Sequence, residues 1–144
     1  MSDKIHYSFA NFGPFLFRSF LPEKVINNLL EEGLKCKENI NHKLAGQLDN
    51  QFGYPKEFIK EFYKDFAPYV KAYRQGHCDF HGLDPKVPIE IAPVDLWINF
   101  MKSGDFNPIH THGYDISFVT YLNFPEEITK RINLIKGVVL VLER

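Results

Sequence analysis

The chain has 144 residues, 44% of them apolar, 15% aromatic and 24% charged, which suits one soluble globular domain that buries about 68–70% of its unfolded surface. Its 17 Lys plus Arg stand against 18 Asp plus Glu for a net charge of −1, so no basic field exists to draw nucleic acid or an anionic membrane. Met1 to His6 lack the apolar core of a signal peptide, and no apolar run nears the roughly 20 residues of a membrane span. Cys36 and Cys78 have no CxxC spacing, as expected of free thiols in a reducing compartment, here the cytoplasm.

The first predicted element is a short aromatic strand, Pro14 to Phe20, stopped by Leu21-Pro22 and expected to join the main sheet. Pro22 and Glu23 then open a helix whose apolar stripe is Val25, Ile26, Leu29, Leu30 and Leu34, ending near Lys37. From His42 to Tyr54 the chain lacks periodicity and reads as a loop with at most a short strand. A second helix follows Tyr54-Pro55. Its stripe of Phe58, Ile59, Phe62, Tyr63, Phe66, Tyr69, Val70 and Tyr73 is core packing, with Pro68 predicting a kink or break.

Glycines and prolines between Gly76 and Pro93 predict a connecting loop over 76–93. Beyond it the period falls to two: Leu96, Ile98 and Phe100 alternate with Asp95, Trp97 and Asn99, and Lys102 to Asp105 supply a turn. With the apolar run Ile116 to Phe124, residues 94–124 read as an antiparallel meander. The expected fold class is therefore α+β in a single domain: strand and two helices over 1–75, a loop over 76–93, and a β-meander over 94–144.

The chemistry concentrates in Asn107-Pro108-Ile109-His110-Thr111-His112-Gly113. On a strand, residues i and i+2 share a face, so His110 and His112 can reach one metal ion, and imidazole suits Zn, Fe, Cu or Ni. The plainer possibility is a pair of histidines exposed on a turn. His77 and His81 have the spacing of a helical metal pair, but the flanking Gly76 and Gly82 favour a solvated loop. Asp84, Asp95 and Asp115 are possible carboxylate ligands; on a regular strand Asp115 faces away from the imidazoles. The absence of a nucleophile elbow, P-loop, dinucleotide fingerprint or paired-carboxylate motif excludes the common hydrolase and nucleotide-enzyme signatures.

The stretch from Trp97-Ile98-Asn99 through Ser103-Gly104-Asp105-Phe106-Asn107-Pro108-Ile109-His110-Thr111-His112-Gly113 to Ser117-Phe118-Val119-Thr120-Tyr121-Leu122-Asn123-Phe124-Pro125 resembles the 2-oxoglutarate/Fe(II)-dependent oxygenases of marine bacteria and phages. These are distant relatives of the prolyl hydroxylases. The resemblance implies a double-stranded β-helix, a cupin-like jelly roll, holding Fe(II) with open positions for 2-oxoglutarate and dioxygen. It implies oxidation of 2-oxoglutarate to succinate and CO₂ coupled to hydroxylation of a C–H bond. His110 falls on the first iron ligand, and His112 stands where the wider superfamily has Asp or Glu. Tyr121 matches a tyrosine that hydrogen-bonds 2-oxoglutarate, and Asn99 and Trp97 are expected to line the same pocket.

The family pattern also needs a distal His and an Arg or Lys for the 2-oxoglutarate carboxylate. No histidine follows His112, and Arg131 and Arg144 are the arginines beyond it. The expectation is a partial barrel whose catalytic set is incomplete, with Gly137 to Arg144 a truncated or frameshifted end in place of a small, glycine-rich stretch; alternatively, Val138 to Leu142 is a true final strand. Two other functions fit the sequence. One is a small interaction protein that associates with itself through an exposed β-edge at Ile116–Phe124 or Val138–Leu142. The other is a cupin-like Zn or Mn protein without 2-oxoglutarate. The substrate, a small molecule or a protein side chain, is not legible in the sequence.

Overall fold

The computed structural model describes residues 7–11, 15–127 and 138–142; Met1 to His6, Pro14, Arg131 and Arg144 lie outside them. The chain builds β1 (Tyr7–Asn11), β2 (Phe15–Ser19), α1 (Glu23–Gly33), a 3₁₀ turn (Asn41–Lys43), β3 (Gln51–Gly53), α2 (Lys56–His81), β4 (Trp97–Asn99), β5 (Ile116–Thr120) and β6 (Val138–Leu142). This is a mixed α+β arrangement of two helices with antiparallel sheets, as its sequence predicts. One sheet has four strands in the order β1-β2-β6-β5, and the other pairs β3 with β4.

Alternation along β2 decides how the larger sheet packs. Phe15, Phe17 and Ser19 are buried while Arg18 between them is exposed, the two-residue period of a strand with one covered face. That face meets α2. Phe15 and Phe17 lie 5.6 and 6.2 Å, centroid to centroid, from Tyr73, and Phe118 of β5 lies 4.4 Å from Phe66. Phe17 has no solvent exposure. Burial also pushes the Tyr73 hydroxyl up to about 12, because the phenolate would lose its hydration.

On α1, Ile26, Leu29 and Gly33 form the buried stripe. Gly33 has a packing role: a Cβ there would stand 2.4 Å from Ile98 Cδ1 and 2.7 Å from the Tyr54 hydroxyl oxygen. The Tyr54 hydroxyl donates to Leu29 O at 2.7 Å, and its pKa is pushed far above the ordinary tyrosine value, chiefly by burial. These contacts fasten α1 to the small sheet, where Tyr54 N also donates to Leu96 O and Phe100 N to Asn50 O, each at 3.0 Å.

Four expectations need correction. The second helix neither breaks at Pro68 nor stops before Gly76; it runs to His81, where Gly82 caps it at φ +66°. Pro68 is exposed, so the Lys64 carbonyl it cannot bond is left on the water side. Gly76 costs about 1 kcal/mol relative to alanine, and burial of Tyr73 and Cys78 around it offsets that cost. The connecting segment therefore begins at Gly82. Third, residues 94–124 do not form a meander, because β4 pairs with β3 and β5 with β6. Period-two patterning chooses the buried face of a strand and leaves its partner open. Fourth, Val138 to Leu142 is not an exposed edge: it is a strand between β2 and β5, with Leu140 opposite both Phe17 and Phe118.

Cys36 and Cys78 are free thiols. Among the described residues, no helix is long and apolar enough to cross a membrane. Because no space exists for a side chain at residue 33, Gly33→Ala should lower unfolding free energy by about 1–3 kcal/mol, the usual range for overpacking. Urea denaturation checks this, with an unchanged midpoint as the opposing result.

Candidate metal centre

Residues 100–115 link the two sheets and carry both histidines. The turn at the start of this segment is made as predicted: Asp105 N donates to Lys102 O at 3.1 Å, Lys102 N donates to Asp105 Oδ2 at 3.0 Å, and Gly104 takes φ +93°, a value that glycine adopts without a Cβ clash. Further on, the segment is clamped from the side. Gln47 N donates to Phe106 O at 2.9 Å, and Gly46 lies so close that a Cβ on it would sit 2.4 Å from Asn107 Oδ1. At the far end the Tyr114 hydroxyl donates to Asp95 Oδ2 at 2.6 Å. The Asp95 carboxylate raises the Tyr114 pKa by accepting that bond and by its charge.

Between these clamps the two imidazoles converge. His110 Nε2 and His112 Nε2 are 3.0 Å apart, and the ring centroids 4.7 Å. The segment is not a strand here, so the convergence does not come from the pleat that the spacing suggests. It comes from a bend in which His110 Nδ1 lies 2.7 Å from Pro108 O. A carbonyl can only accept, so Nδ1 carries the proton and Nε2 of His110 presents a lone pair. His112 is oriented by Trp97, whose ring stacks on it at 6.3 Å and 18°.

The nitrogen separation tests what this pair can hold. Two ligand nitrogens each about 2.1 Å from one ion stand about 3.0 Å apart at a right angle and about 3.4 Å apart at a tetrahedral angle. The observed 3.0 Å lies close enough to both values for the two nitrogens to reach one ion. The His110 Nδ1–H to carbonyl bond is also the usual outer partner of a ligating imidazole. Without a metal the same distance is an N–H···N hydrogen bond, with His112 as donor and His110 Nε2 as acceptor.

Asn99 and Trp97 lie two residues apart on β4. Asn99 Oδ1 accepts from Gln51 Nε2 at 3.2 Å across the β3–β4 pair. Tyr121 follows β5, is exposed, and packs its ring 5.0 Å from Phe124. Of the three carboxylates, Asp95 is bound to Tyr114, Asp84 accepts from Lys86 N at 2.9 Å, and Asp115 is exposed. Among the described residues no three His, Cys, Asp or Glu side chains gather around one point. Phe106 and Ile109 are exposed beside the histidines and give the centre an apolar rim.

His77 and His81 need a correction: they are on α2, not in a loop, one turn apart with ring centroids at 4.4 Å. They join an aromatic cluster with Phe15, Tyr73 and Phe80. Sequence reasoning missed Gly46 and Gln51 as parts of the site, since their contacts are tertiary and the stretch around Gly46 has no periodic signal. A shallow depression on the outer face of α1, lined by Glu23, Lys24, Asn27, Asn28 and Glu31, includes no histidine. No family model, curated protein or solved structure matches the chain.

The close approach at Gly46 gives a direct test. A methyl group there must push the Asn107 carboxamide aside; if that carboxamide sets the path to His110, Gly46→Ala should weaken Co(II) binding by about 10–100-fold, as loss of outer-shell support does. Anaerobic titration of the Co(II) absorption bands measures it. Unchanged affinity would show that the clamp does not position the histidines.

Proposed function

We propose that the chain is the metal-binding part of a non-haem Fe(II)/2-oxoglutarate-dependent dioxygenase. His110 and His112 hold the iron, and Asn99 and Tyr121 face 2-oxoglutarate. The observation that carries this is the 3.0 Å separation of the two Nε2 atoms, close enough for both to reach one ion. The resemblance of residues 97–125 to that oxygenase family supplies the co-substrate and the double-stranded β-helix, of which two antiparallel sheets are the supporting part. The role of Tyr121 rests on the resemblance of Tyr121-Leu122-Asn123 alone.

Bound iron with 2-oxoglutarate supplies oxidation: 2-oxoglutarate, dioxygen and a substrate C–H become succinate, CO₂ and a C–OH. The chain's own residues do the rest. Pro108 O fixes the His110 tautomer, Trp97 holds the His112 ring, and Gln51 turns the Asn99 carboxamide. The exposed Phe106 and Ile109 offer apolar contact to a substrate, either a small molecule or a protein side chain. The described residues bring two protein ligands to the centre where the family pattern has three, so turnover by this chain should be slow relative to iron binding.

The test is anaerobic Fe(II) and 2-oxoglutarate binding followed by succinate formation on admitting air. Binding of 2-oxoglutarate should require Fe(II) and fall by more than about tenfold in His110→Ala, the least that even an outer-shell loss costs. Binding that ignores both the metal and that substitution would contradict the proposal. A second function is favoured by one observation: β5 is an edge strand, with an exposed Val119, and an open edge is a template for pairing. A dimer that survives chelator and His110→Ala, without metal-dependent 2-oxoglutarate binding, would favour self-association through Ile116–Thr120.

A further inference from the structure

Residues 38–40 extend the small sheet beyond β3: Gly53 N donates to Glu38 O at 3.0 Å, and Ile40 N donates to Gln51 O at 2.9 Å. On the other side of β3, Tyr54 N donates to Leu96 O and Phe100 N to Asn50 O, in the register that sets Phe52 opposite Ile98. Bonded and unbonded pairs alternate along an antiparallel ladder, so Leu96, Ile98 and Phe100 turn their backbone groups to β3. Those of Asp95, Trp97 and Asn99 point the opposite way, to the outer edge of β4.

The histidine segment lies along that edge. The His112 ring stacks on Trp97 at 6.3 Å, and the Tyr114 hydroxyl donates to Asp95 Oδ2 at 2.6 Å. A step of two residues forward on one run moves the contact two residues back on the other, which is the order of an antiparallel pair with opposed side chains on one face. The turn at Lys102 to Asp105 lies between the two runs, as in a wide hairpin. Yet residues 110–114 belong to no strand. The departure from pairing is the bend at Pro108, where His110 Nδ1 lies 2.7 Å from Pro108 O and His110 Nε2 lies 3.0 Å from His112 Nε2. A side chain folded back on the carbonyl two residues before it needs a chain that turns there, and such local bonds compete with a ladder.

We infer that residues 110–114 are a strap poised to close on β4 as a further antiparallel strand, and that His110 is the latch that holds it open. In the closed form Trp97 and His112 exchange backbone bonds, as do Asp95 and Tyr114, while the ring stack and the bond from Tyr114 to Asp95 stay in place. The outer edge of β4, a template for another chain while it is open, is then covered by the protein's own segment. Closing costs the two His110 contacts, which are exposed and so of small net effect. The two arrangements therefore lie within reach of one substitution. The inference goes beyond the proposed function and does not rest on a metal between the imidazoles.

Backbone amide exchange and nuclear Overhauser contacts in the full chain, without added metal, test it. In the parent, Trp97 N–H should exchange quickly, while Ile98 N–H, which faces β3, is protected. His110→Ala removes both latch contacts. Gly113→Val favours an extended chain at a position where a Cβ meets nothing within 4 Å. Each change should slow exchange at Trp97 and His112 about tenfold relative to Ile98, in line with one or two hydrogen bonds gained. Each should also bring the Hα of Leu96 into contact with the Hα of residue 113, the closely spaced pair of that ladder.

Fast exchange at Trp97 in the parent and in both variants overturns the inference. So does a parent in which Trp97 N–H is already protected, or a gain in protection that Ile98 shares in full, which would report overall stability and not closure. If His110→Ala does not fold, Gly113→Val alone decides by the same readings.

Discussion

The aromatic seam between β2, β5 and α2 is the constraint on which the rest of the molecule depends. Phe15 and Phe17 from one strand and Phe118 from another meet Tyr73, Phe62 and Phe66 along a helix of 26 residues. Each ring buries on the order of 150–250 Å², far more than an aliphatic side chain. No pair of described strands could hold this geometry without the helix, since a sheet with one uncovered apolar face has no reason to stay flat on itself. The helix continues past the glycine at residue 76 because the seam does: Tyr73 and Cys78 are buried on either side of it.

From that seam the chain passes through the proline-broken segment after Gly82 to the small sheet, and the small sheet sets the place of the histidine pair. Ile98 faces Gly33 of α1, while Trp97 and Asn99 on its two sides turn toward His112 and Gln51. Neutral contacts predominate around the histidines: an indole, carboxamides and backbone carbonyls. Ion pairs such as Lys102 with Asp49 at 2.5 Å lie on exposed side chains, where screening leaves little net energy. The pair of imidazoles is thus shaped by packing and hydrogen bonds.

Much of this was legible in the sequence. The aromatic alternation at Phe15 to Ser19, the stripe from Ile26 to Gly33 and the proline starts of both helices are local signals, and they reappear in the structure. So does the turn at Lys102 to Asp105, where a short polar run and Gly104 leave few conformations open. What could not be read is what depends on a distant partner. Alternation at Leu96 to Phe100 marks a strand but not that Gln51 to Gly53 would be its neighbour. The two histidines suggest a shared ligand by spacing, yet they meet through a bend at Pro108 and not through a pleat. Gln51 looks like an ordinary loop polar residue until its burial is known.

The proposed activity requires one ion lying between His110 and His112. X-ray absorption on Fe(II)-loaded protein counts the imidazoles in its coordination shell directly. Two imidazole nitrogens at about 2.1 Å, reduced to one by either His110→Ala or His112→Ala, is the predicted result. A shell with no imidazole, or one unchanged by both substitutions, would contradict it.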